Sequence, residues 1–213
     1  ENLVREVIPD VTSIDYKGAT REYKEAGSDI YFIFALALVV VFLILAAQFE
    51  SFVHPFVIML TVPLAVLGGL LGLYLAGSTF NIYSQIGLIM LIGLAAKNGI
   101  LIVEFANQLR DEGKDIREAL LEASALRLRP IMMTGLSTAM GAVPLMIASG
   151  AGAASRQTIG VTVFGGVIVA TFFTLFIVPV FYDMFAKYTK SPGYVAAKLR
   201  EIEEKESKGI PAE

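Results

Sequence analysis

The chain has 213 residues, of which 55% are hydrophobic and 17% charged, with a formal net charge of -3 and no cysteine. Its mean hydropathy of +0.67 is too high for a soluble domain of this length, its acidic balance offers no footprint for nucleic acid, and without cysteine there is no disulfide framework, thiolate metal site or cysteine nucleophile. Between Ile30 and Val103 the only formally charged side chains are Glu50 and Lys97, which identifies an all-α polytopic membrane protein.

Residues 1–28 alternate apolar positions (Val7, Ile8, Val11, Ile14, Tyr16) and then turn polar. They read as the strand-like end of an extramembrane domain followed by a pre-membrane segment. No signal-peptide core is present and the first residue is not Met, so the chain reads as an excised piece of a longer protein. A transmembrane domain is expected over 29–186, with five helices at about 30–49, 55–75, 81–107, 131–148 and 158–185, each near the length that spans a hydrocarbon core. In the second, Pro55 suits a helix start, Pro63 predicts a kink, and Gly68, Gly69 and Gly72 predict a face for close helix approach. The third helix carries Lys97.

The stretch from Arg110 to Arg129 holds five basic and five acidic residues. Asp115 followed by Glu118 resembles a capping box, which predicts a short amphipathic helix over about 115–126 lying along the membrane surface. Pro130 then opens the fourth span, where Thr134, Ser137 and Thr138 recur at helical spacing and Arg127 extends their stripe. Lysine and arginine concentrate in this loop and in the tail 187–213, whereas the turns at 76–84 and 149–157 together hold only Arg156. The positive-inside rule therefore puts the loop and the tail in the cytoplasm and the amino-terminal segment outside.

Lys97 sits near the middle of the apolar run Gln85 to Asn107, only a few Å from mid-bilayer at about 1.5 Å rise per residue. A cation there costs roughly 2.5 to 3.5 kcal/mol to insert, so it faces a bundle interior or wet cavity and has a partner. Glu104 shares its face but lies about 10.5 Å further along the axis. Other chemistries lack their parts. Gly113-Lys114 is followed by Asp, so no phosphate-cradling loop is present; a single histidine cannot assemble a zinc or haem site; Ser137 has no base beside it. Neither an enzyme nor a metal site is expected.

The runs LIGLAAKNGILIVEFA (Leu91 to Ala106), RLRPIMMT (Arg127 to Thr134) and AAQFESFVHPFVIMLTVPLAVLGG (Ala46 to Gly69) resemble the resistance-nodulation-division efflux permeases, in their hydrophobe/amphiphile branch. The resemblance implies the eighth to twelfth helices of a twelve-helix, inner-membrane, homotrimeric proton/drug antiporter. It works with a periplasmic adaptor and an outer-membrane channel on hydrophobic or amphiphilic small molecules, powered by the proton-motive force without a cofactor. By the same resemblance Lys97, Arg127 and Thr134 are proton-relay residues, with Asn98, Ser137, Thr138 and Glu104 as supporting polar groups. The acidic relay pair belongs to a fourth helix in the missing amino-terminal half. A lipid exporter or protein-translocation accessory of the same superfamily, or a non-transport scaffold, are the alternatives.

Overall fold

Long apolar runs must satisfy their backbone polar groups internally when lipid replaces water, and a helix does so within one segment. In the computed structural model, residues 19–186 are described, with side-chain environments from 30 to 185; the strand-like reading of the first residues and the tail 187–213 lie outside the described residues. Every regular element among them is a helix: α1 (Ala19–Phe49), α2 (Val53–Met59), α3 (Thr61–Leu75), α4 (Ile82–Asp111), α5 (Ile116–Met146) and α6 (Ala153–Ala186).

The span Ile30–Phe49 of α1 is fully buried only at Leu45 and Phe49, at its far end, with a half-buried stripe at Phe34, Leu38 and Val41 along the rest. Glu50 reverses the chain with φ 46, a left-handed conformation costing a residue with a Cβ roughly 1–2 kcal/mol. The next span is broken into α2 and α3 at Leu60. Pro63 explains the position: its ring clashes with the carbonyl of Met59 and its nitrogen donates nothing. Thr61 Oγ1 instead donates to the carbonyl of Ile58 at 2.7 Å.

Asn81 and Ser84 start α4 with a reciprocal capping box, Ser84 N to Asn81 Oδ1 at 3.0 Å and Asn81 N to Ser84 Oγ at 2.9 Å. Gly113, at φ 94, ends it. Lys114 N donates back to Leu109 O and Gly113 N to Arg110 O, the paired bonds of a Schellman motif. Asp115 then caps α5, accepting from Arg117 N at 3.4 Å.

One expectation changes here. The separate amphipathic helix at about 115–126 is instead the opening part of α5, which continues through Pro130 and Pro144 to Met146. Proline removes one hydrogen bond but does not break the helix, because Ala119, Leu120, Ala123 and Ile131 on both sides of Pro130 are buried in one cluster with Val103, Val178 and Tyr182. Burial of those side chains outweighs a local penalty of about 3 kcal/mol.

Helix α6 is the post against which α3, α4 and α5 all pack. Its contact with α3 is made backbone to backbone: a Cβ on Gly165 would sit 2.7 Å from Gly68 O and 3.0 Å from Gly72 Cα. The glycine face expected at Gly68 and Gly72 is thus a seam against α6. Four segments are long and apolar enough to cross a membrane, Ile30–Phe49, Val53–Leu75, Ile82–Asp111 and Ala153–Phe185. Helix α5, the fifth long helix, carries the more polar Thr134, Ser137 and Thr138 and packs along α6 and α4.

Candidate functional site

Halfway along α4, Lys97 lies on the exposed side of the bundle and Asn98 is buried. Successive helical residues leave the axis about 100° apart, so one face of α4 points at α6 while the lysine reaches the open edge. Asn98 Nδ2 donates to Thr171 Oγ1 of α6 at 3.2 Å. A cleft of about 10 Å³ opens beside this bond, lined by Lys97, Asn98, Thr134, Gly135, Thr138 and Thr171 among others, with room for about one water molecule. Thr134 Oγ1 donates to Ile131 O at 3.2 Å and Thr138 Oγ1 to Thr134 O at 2.8 Å. With their protons committed to the helix backbone, both hydroxyls present lone pairs, which suits an ammonium or a water as donor.

The sequence-predicted residues divide at this point. Lys97, Asn98, Thr134 and Thr138 come together around the cleft, whereas Arg127, Ser137 and Glu104 do not line it. The Arg127 guanidinium lies over the Phe105 ring, 4.5 Å from its centroid, a cation–π arrangement, and its Nε is buried without a hydrogen-bond partner among the described residues. Ser137 is exposed and Glu104 half-buried. The described residues lining the cleft include no carboxylate. Thr171 and Gly135 were missed by sequence reasoning; the available signal was a threonine recurring in an otherwise apolar helix at Thr158, Thr162, Thr171 and Thr174, all four buried.

Comparison with known proteins places the chain as a whole. The model of the AcrB/AcrD/AcrF family matches residues 1–186. The chain belongs to that family. It is therefore a piece of a resistance-nodulation-division permease, a multi-pass protein of the inner membrane. Among its relatives, the toluene efflux pump membrane transporter TtgB of Pseudomonas putida is 46% identical over 175 residues, 82% of this chain and 17% of that protein. Multidrug resistance protein MdtF of Escherichia coli is 44% identical over 185 residues, 84% and 18% respectively. An uncharacterized transporter of Haemophilus influenzae is 45% identical over 186 residues, with 84% of this chain and 18% of that protein covered. The chain thus spans less than a fifth of the relatives it matches.

This permease segment contains a second polar cluster, at the end of α4 nearest the α4–α5 loop. Tyr182 of α6 donates from its hydroxyl to Asn107 Oδ1 at 2.6 Å and accepts from Arg110 at 3.0 Å. Its ring stacks on His54, centroids 5.6 Å apart and 14° from parallel, and Phe49 in turn meets His54 edge-on, centroids 5.9 Å apart. Three helices meet at Tyr182, and His54 links the fourth, α1, through Phe49. Sequence reading singled out His54 only as the sole histidine, because its neighbours come from positions far apart in the chain.

Proposed function

We propose that the chain is the membrane part of a proton-driven efflux transporter that exchanges protons for hydrophobic or amphiphilic molecules, a secondary active transporter and not an enzyme. The relatives' names, which include toluene and multidrug efflux, support the transport reading. The observation that carries the coupling reading is Lys97 itself: a mid-span cation on the open edge of a cleft with hydroxyl acceptors and no carboxylate among its described lining residues. Its anionic partners come from the amino-terminal half of the permease. When they are ionised the ammonium pairs with them; when they protonate the pair is lost. Moving one charge across the membrane is worth about 2.3 kcal/mol per 100 mV, so proton loading can reposition helices. In this reading Lys97 is the switching cation, Thr134 and Thr138 accept from it, Asn98 holds it, and Arg127, Ser137 and Glu104 serve from the flanks. The assembled protein is a homotrimer working with a periplasmic adaptor and an outer-membrane channel, its amino-terminal segment periplasmic and its tail cytoplasmic.

Lys97→Met in the full-length permease tests the proposal. It keeps the stem and removes the charge. Proton-driven export should be abolished at equal abundance in the membrane, because the facing carboxylates lose their counter-charge and stay protonated. Export at the wild-type rate would overturn the coupling role.

A further inference from the structure

We infer that Asn98 and Thr171 form a rotational stop that sets the bearing of Lys97, and that Gly135 allows the stop to close. The inference rests on the coupling role proposed for Lys97 and adds the means by which that side chain is aimed.

Lys97 and Asn98 are consecutive on α4, so any rotation of the helix about its axis carries both through the same angle. Most of what α4 buries is aliphatic or alanine, including Leu88, Leu91, Ile92, Ala95, Ala96 and Ile102. The hydrophobic effect behind that burial is non-directional, and α4 is keyed to α6 at other levels by Leu91 against Gly166 and by Asn107 and Arg110 on Tyr182. A hydrogen bond is directional and weakens steeply once its angle falls below about 120°. The bond from Asn98 Nδ2 to Thr171 Oγ1, 3.2 Å long between residues 73 apart in sequence, is the directional contact at this level. Both residues are buried, at 5% and 6% exposure, so the bond is shielded from bulk water and only the one-water cleft adjoins it.

The acceptor is itself held. A Cβ on Gly135 would lie 2.6 Å from Thr171 Cγ2 and 2.7 Å from Thr171 Oγ1, so α5 closes on the threonine and leaves its side chain little freedom. Three helices thus meet one residue away from the lysine without touching its charge. Neither Asn98 nor Thr171 has to titrate or bind substrate. They are positioning residues, and their loss should slow the coupled cycle without weakening drug binding.

The test uses the full-length permease in cells, with ethidium as probe, or toluene where the wild type does not export the dye. Thr171→Val keeps the size and branching of the side chain and removes the acceptor. At matched membrane abundance it should lower kcat for export about tenfold with KM unchanged, an effect in the range of one buried hydrogen bond and its orphaned donor. Thr171→Ser should restore most of the rate. Asn98→Ala should give a similar loss, and the double variant should be no slower than the worse single one, since both remove one interaction. Wild-type kcat in Thr171→Val, a rise in KM in place of the kcat loss, no rescue by serine, or multiplying losses in the double variant would each overturn the stop. If instead Lys97→Met exports normally, or the wild type exports neither probe, it is the coupling or transport reading that fails, and the inference falls with it.

Discussion

Replacing Gly165 by alanine sets two physical effects against each other. In the interior of a helix such as α6, alanine is favoured over glycine by about 1 kcal/mol. At this position the added Cβ would meet Gly68 O at 2.7 Å, Gly72 Cα at 3.0 Å and Gly72 N at 3.3 Å, all backbone atoms that cannot rotate aside. Restoring even a 3.4 Å contact to that oxygen, 3.4 − 2.7, requires α3 and α6 to separate by about 0.7 Å. Overpacking against backbone atoms costs typically about 1–3 kcal/mol, so the net loss lies between about 0 and 2 kcal/mol and centres on about 1 kcal/mol, roughly fivefold in the folded ratio. Unfolding of the full-length permease in mixed micelles, followed by circular dichroism against denaturing detergent, reads the difference directly. Gly68→Ala, whose Cβ would lie 2.5 Å from Val169 Cβ and 2.9 Å from Gly165 O, should move in the same direction. An alanine variant at 165 more stable than the wild type would refute the backbone-to-backbone seam and leave helix propensity as the governing effect.

Two further outcomes can be checked. Tyr182→Phe keeps the ring stacked on His54 but takes the hydroxyl from both Asn107 and Arg110; because Asn107 Nδ2 is already buried without a partner among the described residues, orphaning its oxygen as well should cost about 1–3 kcal/mol in the same unfolding assay, and an unchanged midpoint would contradict the bridging role. On the surface, the side-chain hydrogen bond with Glu122 raises the pKa of Lys114 above its ordinary 10.5, helped by the charges of Glu122, Glu112 and Glu118. A raised cationic pKa contributes stability that is fully present below 10.5 and is lost as pH rises through the raised value. Glu122→Gln should bring the Lys114 titration, followed by NMR of labelled lysine, back toward the ordinary value; no change would show that the pair does not persist in solution.

The membrane character of the chain could be read directly from its sequence because charge is so rare in it: two charged side chains between Ile30 and Val103 leave a soluble core no outlet. Lys97 stood out for the same reason. The polar residues on α5 were harder to sort by spacing alone. Thr138 lies about 40° to one side of Thr134 and Ser137 about 60° to the other, so a stripe that looked continuous puts Thr138 on the cleft and Ser137 on the exposed face. Arg127 keeps the azimuth of Thr134 but sits about 10.5 Å lower, where the Phe105 ring takes it up. Thr171 gave no local sign of its role. A threonine in an apolar helix can bond its own backbone, as Thr162 does to Thr158 O at 2.8 Å, and only the packing of α4 on α6 shows that Thr171 does otherwise. Pro130 misled for the opposite reason, since its local preference was overridden by burial on either side of it.

The attachment of α1 has a mechanical consequence. Within this chain its membrane span is fully buried only at one end, at Leu45 and Phe49, and is seated more loosely elsewhere, where half-buried Phe34 lines a cavity of about 200 Å³ with Val66 and Leu88. Such a helix pivots at its tight end and can close or open the cavity at its loose one. A rotation of about 5° at the tight end swings the far end of a 20-residue span, about 30 Å away, through about 2.6 Å. The polar extension of the same helix begins at that loosely seated end. A force applied there would reach the bundle as torque on Phe49, which rests against His54, and through His54 on Tyr182.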